Sequence, residues 1–329
     1  MLNINLAIKF GSNEIIFYRK GYGIVAKEPA YLAVVEKGRR IKVKASGKEA
    51  EKLFYSKSND ITVYQPIQNS TIVNEKMAIR LMSELLKRLI KDGLYSKLTA
   101  LVAVPCGLSA EELITIKKVL HASGIDRVSF VRNAVCAIEN LEIDPSKHTM
   151  VVDIGKYITD ISILSRTDYL QGKMYYIGGE DMDKSITTFI QDNHELLVSD
   201  QTGEAIKNEV ASLYEQDMCK TSYVGINKFD KFVKQEINAN EVRVAISHVY
   251  DSIVSLVNEM LSGLDKEVLA EINDTGILFV GGGSMIAGLF EYLSARISVP
   301  INIADNPTDY VILGAGKLLS SKDYIKVVL

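Results

Sequence analysis

Cysteine is scarce. Cys106, Cys136 and Cys219 are far apart and odd in number, which excludes a disulfide framework and a CxxC metal knuckle and points to a reducing compartment, with the cytoplasm as the expected location. Long hydrophobic runs are missing as well. No window reaches the ~18 apolar residues that a spanning helix needs, and the start MLNINLAIKFGSNE has no basic segment followed by an apolar stretch, so neither export nor insertion is expected. Nor is there an excess of charge of one sign. The 38 Lys+Arg against 41 Asp+Glu leave a net charge of −3, without the basic footprint that a nucleic-acid partner requires. His121, His148, His194 and His248 follow no ligand spacing, so they predict no metal cluster. What is present is a chain of 329 residues, 47% hydrophobic and 24% charged, long enough for two globular units.

NLAIKF, EIIFYRK, IVAKEPAYLAVVEKG and RRIKVKA alternate apolar and polar positions between glycine turns, the pattern of antiparallel strands. Residues 75–91 place Met77, Leu81, Leu85 and Leu89 on one stripe of an amphipathic helix. A strand is expected over 98–105. Ser109, as N-cap ahead of Glu111 and Glu112, opens a helix over 110–123, and the strand VSFVRN and the helix AVCAIENL come next. HTMVVDIGKYITDISILSR, at 148–166, repeats the strand-turn-strand opening, and aligning Gly155 with Gly11 superposes the two segments without a gap. Helices are expected at 181–193, 203–215, 239–264, 285–296 and 308–321, with a strand over 276–283. Gly314 and Gly316 inside the last helix cost about 1 kcal/mol each and imply close backbone packing there. The pattern predicts an α/β architecture of two halves, 1–147 and 148–329, around a cleft.

Four segments can carry chemistry. Gly281, Gly282, Gly283 and Ser284 come directly after an apolar strand and form either a tight turn or a bare backbone that a flat ligand or phosphate can approach. Gly178 and Gly179 before the acids Glu180 and Asp181 form a second such turn, or only a helix cap. Asp153 is an acid at a strand end, either a turn former or a ligand. Glu204 and Lys207, three apart on one helix face, are expected to form an ion pair with each other worth about 0.2–0.5 kcal/mol.

Taken in order, these segments resemble the MreB-type bacterial actin homologues, within the actin, sugar-kinase and heat-shock-chaperone ATPase superfamily. KGYGIVAKEPAYLAV, VAVPCGLSAEE, VVDIGKYITDISIL, IGGEDMDKSI, GEAIKNEVASLY, GILFVGGGSMIAGL and NPTDYVILGAGKLL each resemble a family segment, over nearly the whole chain. The resemblance implies an actin-like fold of two lobes around a nucleotide cleft, with small subdomains near 30–65 and 184–258 and the last helix packing back toward the first lobe. It also implies an adenosine site at Gly281, Gly282, Gly283 and Ser284 with Glu204 and Lys207, phosphate contacts at Gly11, Ser12, Asn13, Gly155, Thr159, Gly178, Gly179 and Glu180, and Glu112 as the acid that orients water. Asp153 would be the remaining acid serving Mg²⁺ indirectly.

Both phosphate hairpins depart from the family pattern. Where the family has DLGTANT, this chain has Lys9-Phe10-Gly11-Ser12-Asn13-Glu14-Ile15, and where it has DIGGGTT this chain has Asp153-Ile154-Gly155-Lys156-Tyr157-Ile158-Thr159. A metal-organising acid has become Lys9, Glu14 has entered, and two glycines and a threonine have become Lys156, Tyr157 and Ile158. Phosphoryl transfer depends on positioning and electrostatics, so hydrolysis is expected to be impaired or lost, with ATP or ADP held weakly through the phosphates and Mg²⁺ doubtful. The expected function is a cytoskeletal protein that joins filaments with itself or an MreB-type paralogue. Alternatives are a working ATPase in which Lys9 and Lys156 neutralise phosphate, or a non-filament chaperone or adaptor, including one for an inner-membrane complex. Leu53-Phe54-Tyr55 is either an apolar tip for membrane contact or a helix end packed on its own sheet.

Overall fold

The structure, a computed structural model, describes residues 2–11, 13–38, 40–56, 60–90 and 95–321. They fall into two compact units, one drawn from Met1–Glu142 and Asp309–Leu329 and the other Ile143–Thr308.

In the first unit, β1 (Leu2–Phe10), β2 (Glu14–Arg19) and β3 (Gly23–Pro29) form an antiparallel meander. The chain then leaves for a small layer: β4 (Leu32–Lys37), β5 (Arg40–Ser46), α1 (Lys48–Ser56) and β6 (Thr62–Tyr64), in sheet order β5-β4-β6. Phe54 on α1 stands half exposed beside the Tyr31 ring, centroids 5.4 Å apart, while Leu53 packs on Tyr31, Ala33 and Ala50. A ribbon of β7 (Ile67–Gln68) and β8 (Thr71–Ile72) leads to α2 (Glu75–Leu89). On α2 the expected stripe buries Met77, Leu81 and Leu85, and Asn74 caps the helix by accepting from the Met77 amide. Each such fully buried side chain contributes about 1.5–3 kcal/mol. β9 (Tyr95–Val104), α3 (Ala110–Ala122), β10 (Arg127–Arg132) and α4 (Asn133–Ile138) complete this part. β9 and β10 add in parallel, giving the order β10-β9-β1-β2-β3.

The second unit repeats that plan. β11 (Thr149–Ile154), β12 (Thr159–Leu164) and β13 (Tyr169–Tyr175) are again an antiparallel meander. They are followed by α5 (Gly179–His194), α6 (Asp200–Val210), the hairpin β14 (Lys220–Ile226) and β15 (Phe232–Asn238), α7 (Ala239–Ser262) and α8 (Lys266–Thr275). β16 (Ile277–Val280) and, after α9 (Leu289–Ser294), β17 (Ile301–Ile303) add in parallel to give β13-β12-β11-β16-β17. Strand for strand this is the order of the first unit. α7 is the long helix of its core, with Val242, Ile246, Val249, Ile253 and Val257 all buried at helical spacing.

The last helix, α10 (Tyr310–Leu318), belongs to the first unit. A side chain at Gly314 would overlap the Cys136 carbonyl of α4, and Gly316 lies on the Tyr18 ring, the close packing that the two glycines implied. Several expected helices have other bounds, among them the last, which spans Tyr310–Leu318 and not 308–321. The 203–215 helix is α6 and stops at Val210, because Ala211 turns to an extended conformation. The 285–296 helix splits into a 3₁₀ turn, Gly282–Met285, and α9, separated at Gly288 where φ is +77°. The 181–193 helix starts two residues earlier, at Gly179.

Candidate functional site

In the second unit the turn after β16 is held from inside. Gly281 has φ +85°, a conformation open to glycine, and side chains at Gly281 or Gly283 would overlap Asp153 or Ile154 at the end of β11. Nothing lies within 4 Å of a Cβ placed on Gly282, so one stretch of the turn presents bare backbone. Tyr250 of α7, fully buried, donates to the Gly283 carbonyl at 2.7 Å, and burial pushes its phenol far up, so it stays a donor. The Ser284 hydroxyl donates back to Val280 at 2.7 Å. Ser284 is therefore a buried staple of the turn.

The hairpin joining β11 to β12 packs against the first turn of α5. Gly155 donates to the Ile158 carbonyl at 2.8 Å and closes the loop. Two carbonyls then accept from α5: Gly155 from the Gly179 amide at 3.0 Å and Lys156 from the Glu180 amide at 2.7 Å. Amides at a helix start lack partners within the helix and suit an anion, but here these two serve the hairpin. Gly178 donates to Asp181 Oδ2 at 2.8 Å, completing the cap. A Cβ at Gly178 would lie 2.6 Å from the Gly155 oxygen, and Thr159 ties the same junction by donating to Ile177 at 2.8 Å. Asp153, at the end of β11, is buried.

Charged side chains from α5, α6 and the hairpin interlock beside this junction. Lys156 Nζ lies 3.1 and 3.0 Å from the two Glu204 oxygens, and Lys207 Nζ lies 2.6 Å from Asp183 Oδ1 and donates to the Gly179 carbonyl at 2.8 Å. Glu204 and Lys207 thus pair with other elements, not with each other as expected, because Lys156 of the hairpin engages both Glu204 oxygens and Asp183 of α5 offers Lys207 a nearly fully buried carboxylate. Burial pushes the Asp183 carboxyl up to about 6, against the pull of the Lys207 charge and hydrogen bond. Burial lowers Lys156, but the Glu204 charge and hydrogen bonds outweigh it and the ammonium is raised.

The first unit carries the same hairpin with other surroundings. A Cβ at Gly11 would lie 2.7 Å from the Glu14 oxygen, as one at Gly155 would lie 3.0 Å from Ile158. Lys9 and Lys27 flank Ile16 across β1, β2 and β3, on the face that carries Tyr18 beneath α10. Lys27 forms an ion pair with Asp309. Burial pushes the Glu14 carboxyl up, opposed by the Lys27, Lys48 and Lys9 charges. Asn13 sits at the tip, and Ser12 lies outside the described residues. Glu112 stands at the start of α3, where its Oε2 accepts from the Ser109 amide at 2.7 Å and hydroxyl at 2.8 Å. This capping box gives Glu112 a structural task.

A family model described as MreB/Mbl protein matches residues 3–327. The chain belongs to the MreB/Mbl family. The cell shape-determining protein Mbl of Bacillus subtilis is 28% identical over 325 residues, with 97% of this chain and 96% of the relative covered. Among solved structures, MreB 5 of Spiroplasma citri bound to AMPPNP has a TM-score of 0.88 at 23% identity, covering 99% of this chain and 98% of that one. The MamK double helical filament has a TM-score of 0.82 at 19% identity, covering 97% and 99%. At these identities the likeness concerns the fold, which is actin-like.

For this MreB/Mbl family member, the structure gathers Gly155, Lys156, Thr159, Gly178, Gly179, Glu180, Glu204 and Lys207 at one junction, and Gly281, Gly282, Gly283 and Ser284 join it through Asp153 and Ile154. Tyr157 lies under the Lys156 ammonium, 5.9 Å from its ring centroid, and Ile158 closes the loop. Asp183 and Tyr250 were missed. Asp183 is four residues from the glycine pair in the segment IGGEDMD, which is the signal that could have found it; Tyr250 sits in an apolar helix stripe that reads only as core.

Proposed function

We propose that the chain is an adenine-nucleotide-binding cytoskeletal protein that assembles into filaments with itself or an MreB-type paralogue, and that ATP hydrolysis is impaired or absent. The observation that carries the second half is the engagement of the Gly179 and Glu180 amides by the Gly155 and Lys156 carbonyls. Family membership, the cell-shape role in the name of Mbl, the AMPPNP bound to the Spiroplasma protein and the double helical filament of MamK support the first half.

The residues present fit part of such a ligand. Gly282 offers open backbone for a flat ring, and Glu204 and Lys207 supply an acceptor and a donor for adenosine. Mg²⁺ with a triphosphate would supply positive charge against the negative charge on the transferred group. The chain's own contribution toward phosphate is small: two α5 amides are engaged, Lys156 holds Glu204, and Glu112 is a helix cap. Such losses remove positioning and preorganised donors, the two effects on which this reaction depends.

Self-assembly would draw on exposed apolar surface. The β14–β15 turn presents Phe229 and Phe232, 69% and 78% exposed, and Asn227 fixes the turn by accepting from the Phe229 and Lys231 amides. Attachment to an inner-membrane complex on the cytoplasmic face would be peripheral, since among the described residues no helix is long and apolar enough to cross a membrane.

Light scattering and electron microscopy over a protein concentration series, with ATP, a non-hydrolysable analogue or no nucleotide, test this reading alongside phosphate release. Polymer or co-polymer that persists without hydrolysis is expected. A strict monomer under all conditions, paralogue included, would favour the adaptor reading, and sustained phosphate release coupled to assembly would favour the working ATPase.

A further inference from the structure

Lys156 stands at the meeting point of three observations. Its ammonium lies within 3.1 Å of both oxygens of Glu204, its carbonyl holds the Glu180 amide, and its Cα lies 3.6 Å from where a Gly179 Cβ would be. The backbone of the hairpin is thus fixed, and the four-carbon stem of Lys156 is the part free to change partner. Its side chain retains 19% exposure and that of Glu204 33%. Pairing at this depth is neither fully screened by water nor sealed from it, so a competing anion can reach the ammonium.

We propose that Lys156 is a charge-operated latch that makes the adenosine site selective for 5′-phosphorylated nucleosides. The proposal rests on the adenine-nucleotide reading above. In the structure the latch is closed: the ammonium bridges both Glu204 oxygens, so ribose hydroxyls meet a carboxylate whose charge is already neutralised and whose lone pairs are partly taken. A neutral hydroxyl cannot replace the Coulomb attraction between the ammonium and the carboxylate, so an unphosphorylated nucleoside competes poorly. A ligand carrying a diphosphate brings its own anion for the ammonium. Lys156 then exchanges one anionic partner for another, and Glu204 is released to the ribose. Lys207 remains held by Asp183 at 2.6 Å and does not take part in the exchange.

Among the described residues, the other ammonium groups of the junction are directed elsewhere. Lys207 is anchored twice, by Asp183 and by the Gly179 carbonyl, and Lys184 pairs along its own helix with Glu180 at 2.7 Å. The selectivity therefore resides in one side chain and is removable by one substitution.

Titration calorimetry of the full chain with adenosine and ADP, for the wild type, Lys156→Gln and Glu204→Gln, tests the latch. The wild type should bind ADP about tenfold tighter than adenosine, a difference of about 1.4 kcal/mol. In Lys156→Gln adenosine should bind tighter than to the wild type and ADP weaker, so that the ratio falls to within about twofold of one. In Glu204→Gln, which removes a carboxylate that adenosine reaches poorly and frees the ammonium for the diphosphate, adenosine should change little and the ratio should rise. Melting curves of each variant confirm folding, and a merely structural Lys156–Glu204 pair would lower the melting temperature without moving the ratio. A wild-type ratio retained in Lys156→Gln overturns the latch and leaves the nucleotide reading intact. Failure of the wild type to bind either ligand overturns the nucleotide reading, and the latch with it.

Discussion

The two β-hairpins at the heart of the two units are the same object in different company. Phe10 pairs with Ile15 and Ile154 with Thr159 across loops of equal length, and each loop opens on a glycine crowded by the carbonyl three residues on. The segments downstream of them differ. After β13 the chain runs directly into α5, whose first turn locks onto the second hairpin; after β3 it departs into the small β5-β4-β6 layer, and the first hairpin is braced by Lys27, Asp309 and α10 instead. One sheet plan therefore supports an interlocked junction in the second unit and a lysine-rich one in the first.

The largest expected difference lies in the ion pairs. Lys207 and Asp183 are 11% and 3% exposed, whereas Lys27 and Asp309 are 34% and 11%. Asp183→Ala strands a buried ammonium and should destabilise the protein by about 3–5 kcal/mol, but Asp309→Ala leaves Lys27 able to reach water and should cost about 1–2 kcal/mol. Denaturant unfolding of both variants measures this; equal losses would erase the distinction between the two environments.

A smaller contrast concerns glycine. Ala at Gly178 would press a methyl against both the Gly155 and Lys156 oxygens, 2.6 and 2.9 Å away, with no help from backbone strain since φ is −179°. About 2–3 kcal/mol is expected there, against about 1 kcal/mol for Gly11→Ala, whose neighbour lies within the same adaptable loop. A Gly11→Ala protein that melts lower than Gly178→Ala would reverse the contrast.

A third contrast is one of pH. Burial raises the Asp183 carboxyl from 3.8 to about 6 in the folded chain, so the folded state binds more protons than the unfolded one between those values. The contribution of this group to stability is complete below about pH 4 and is lost as pH rises through about 6. Relative to Asp183→Asn, the wild type should lose about 2 kcal/mol across that window. A difference between the two proteins that is flat from pH 4 to 7 would show that the Lys207 ammonium holds the carboxyl at its ordinary value.

Much of this was legible in the residues. The gapless match of 151–164 to the first strands became the same hairpin, and Gly314 and Gly316 announced the packing of α10, because glycine spacing and period-2 alternation are local properties. α8 and the β14–β15 hairpin were not read. KEVLAEINDT is short and mostly polar, and on β14 the inward face is Thr221, Tyr223 and Gly225 while Val224 and Ile226 point out, the reverse of the usual signal. The partners of Glu204 and Lys207 were misread for a related reason. Three residues apart they are neighbours on a helix, but tertiary contacts from the hairpin and α5 outcompete a weak local pair. The glycine pair at Gly178 and Gly179 pointed to the right place, and only the structure revealed that the α5 amides serve the hairpin.

The central claim is that an adenosine pocket outlives a weakened phosphate grip, and titration calorimetry of the full chain with ATP, ADP and adenosine tests it most directly. ATP and ADP should bind within about threefold of each other, and ATP less than about 100-fold tighter than adenosine, a limit of about 2.7 kcal/mol. ATP binding that exceeds adenosine by more than that limit, with ADP far weaker than ATP, would contradict the account by showing an intact γ-phosphate site.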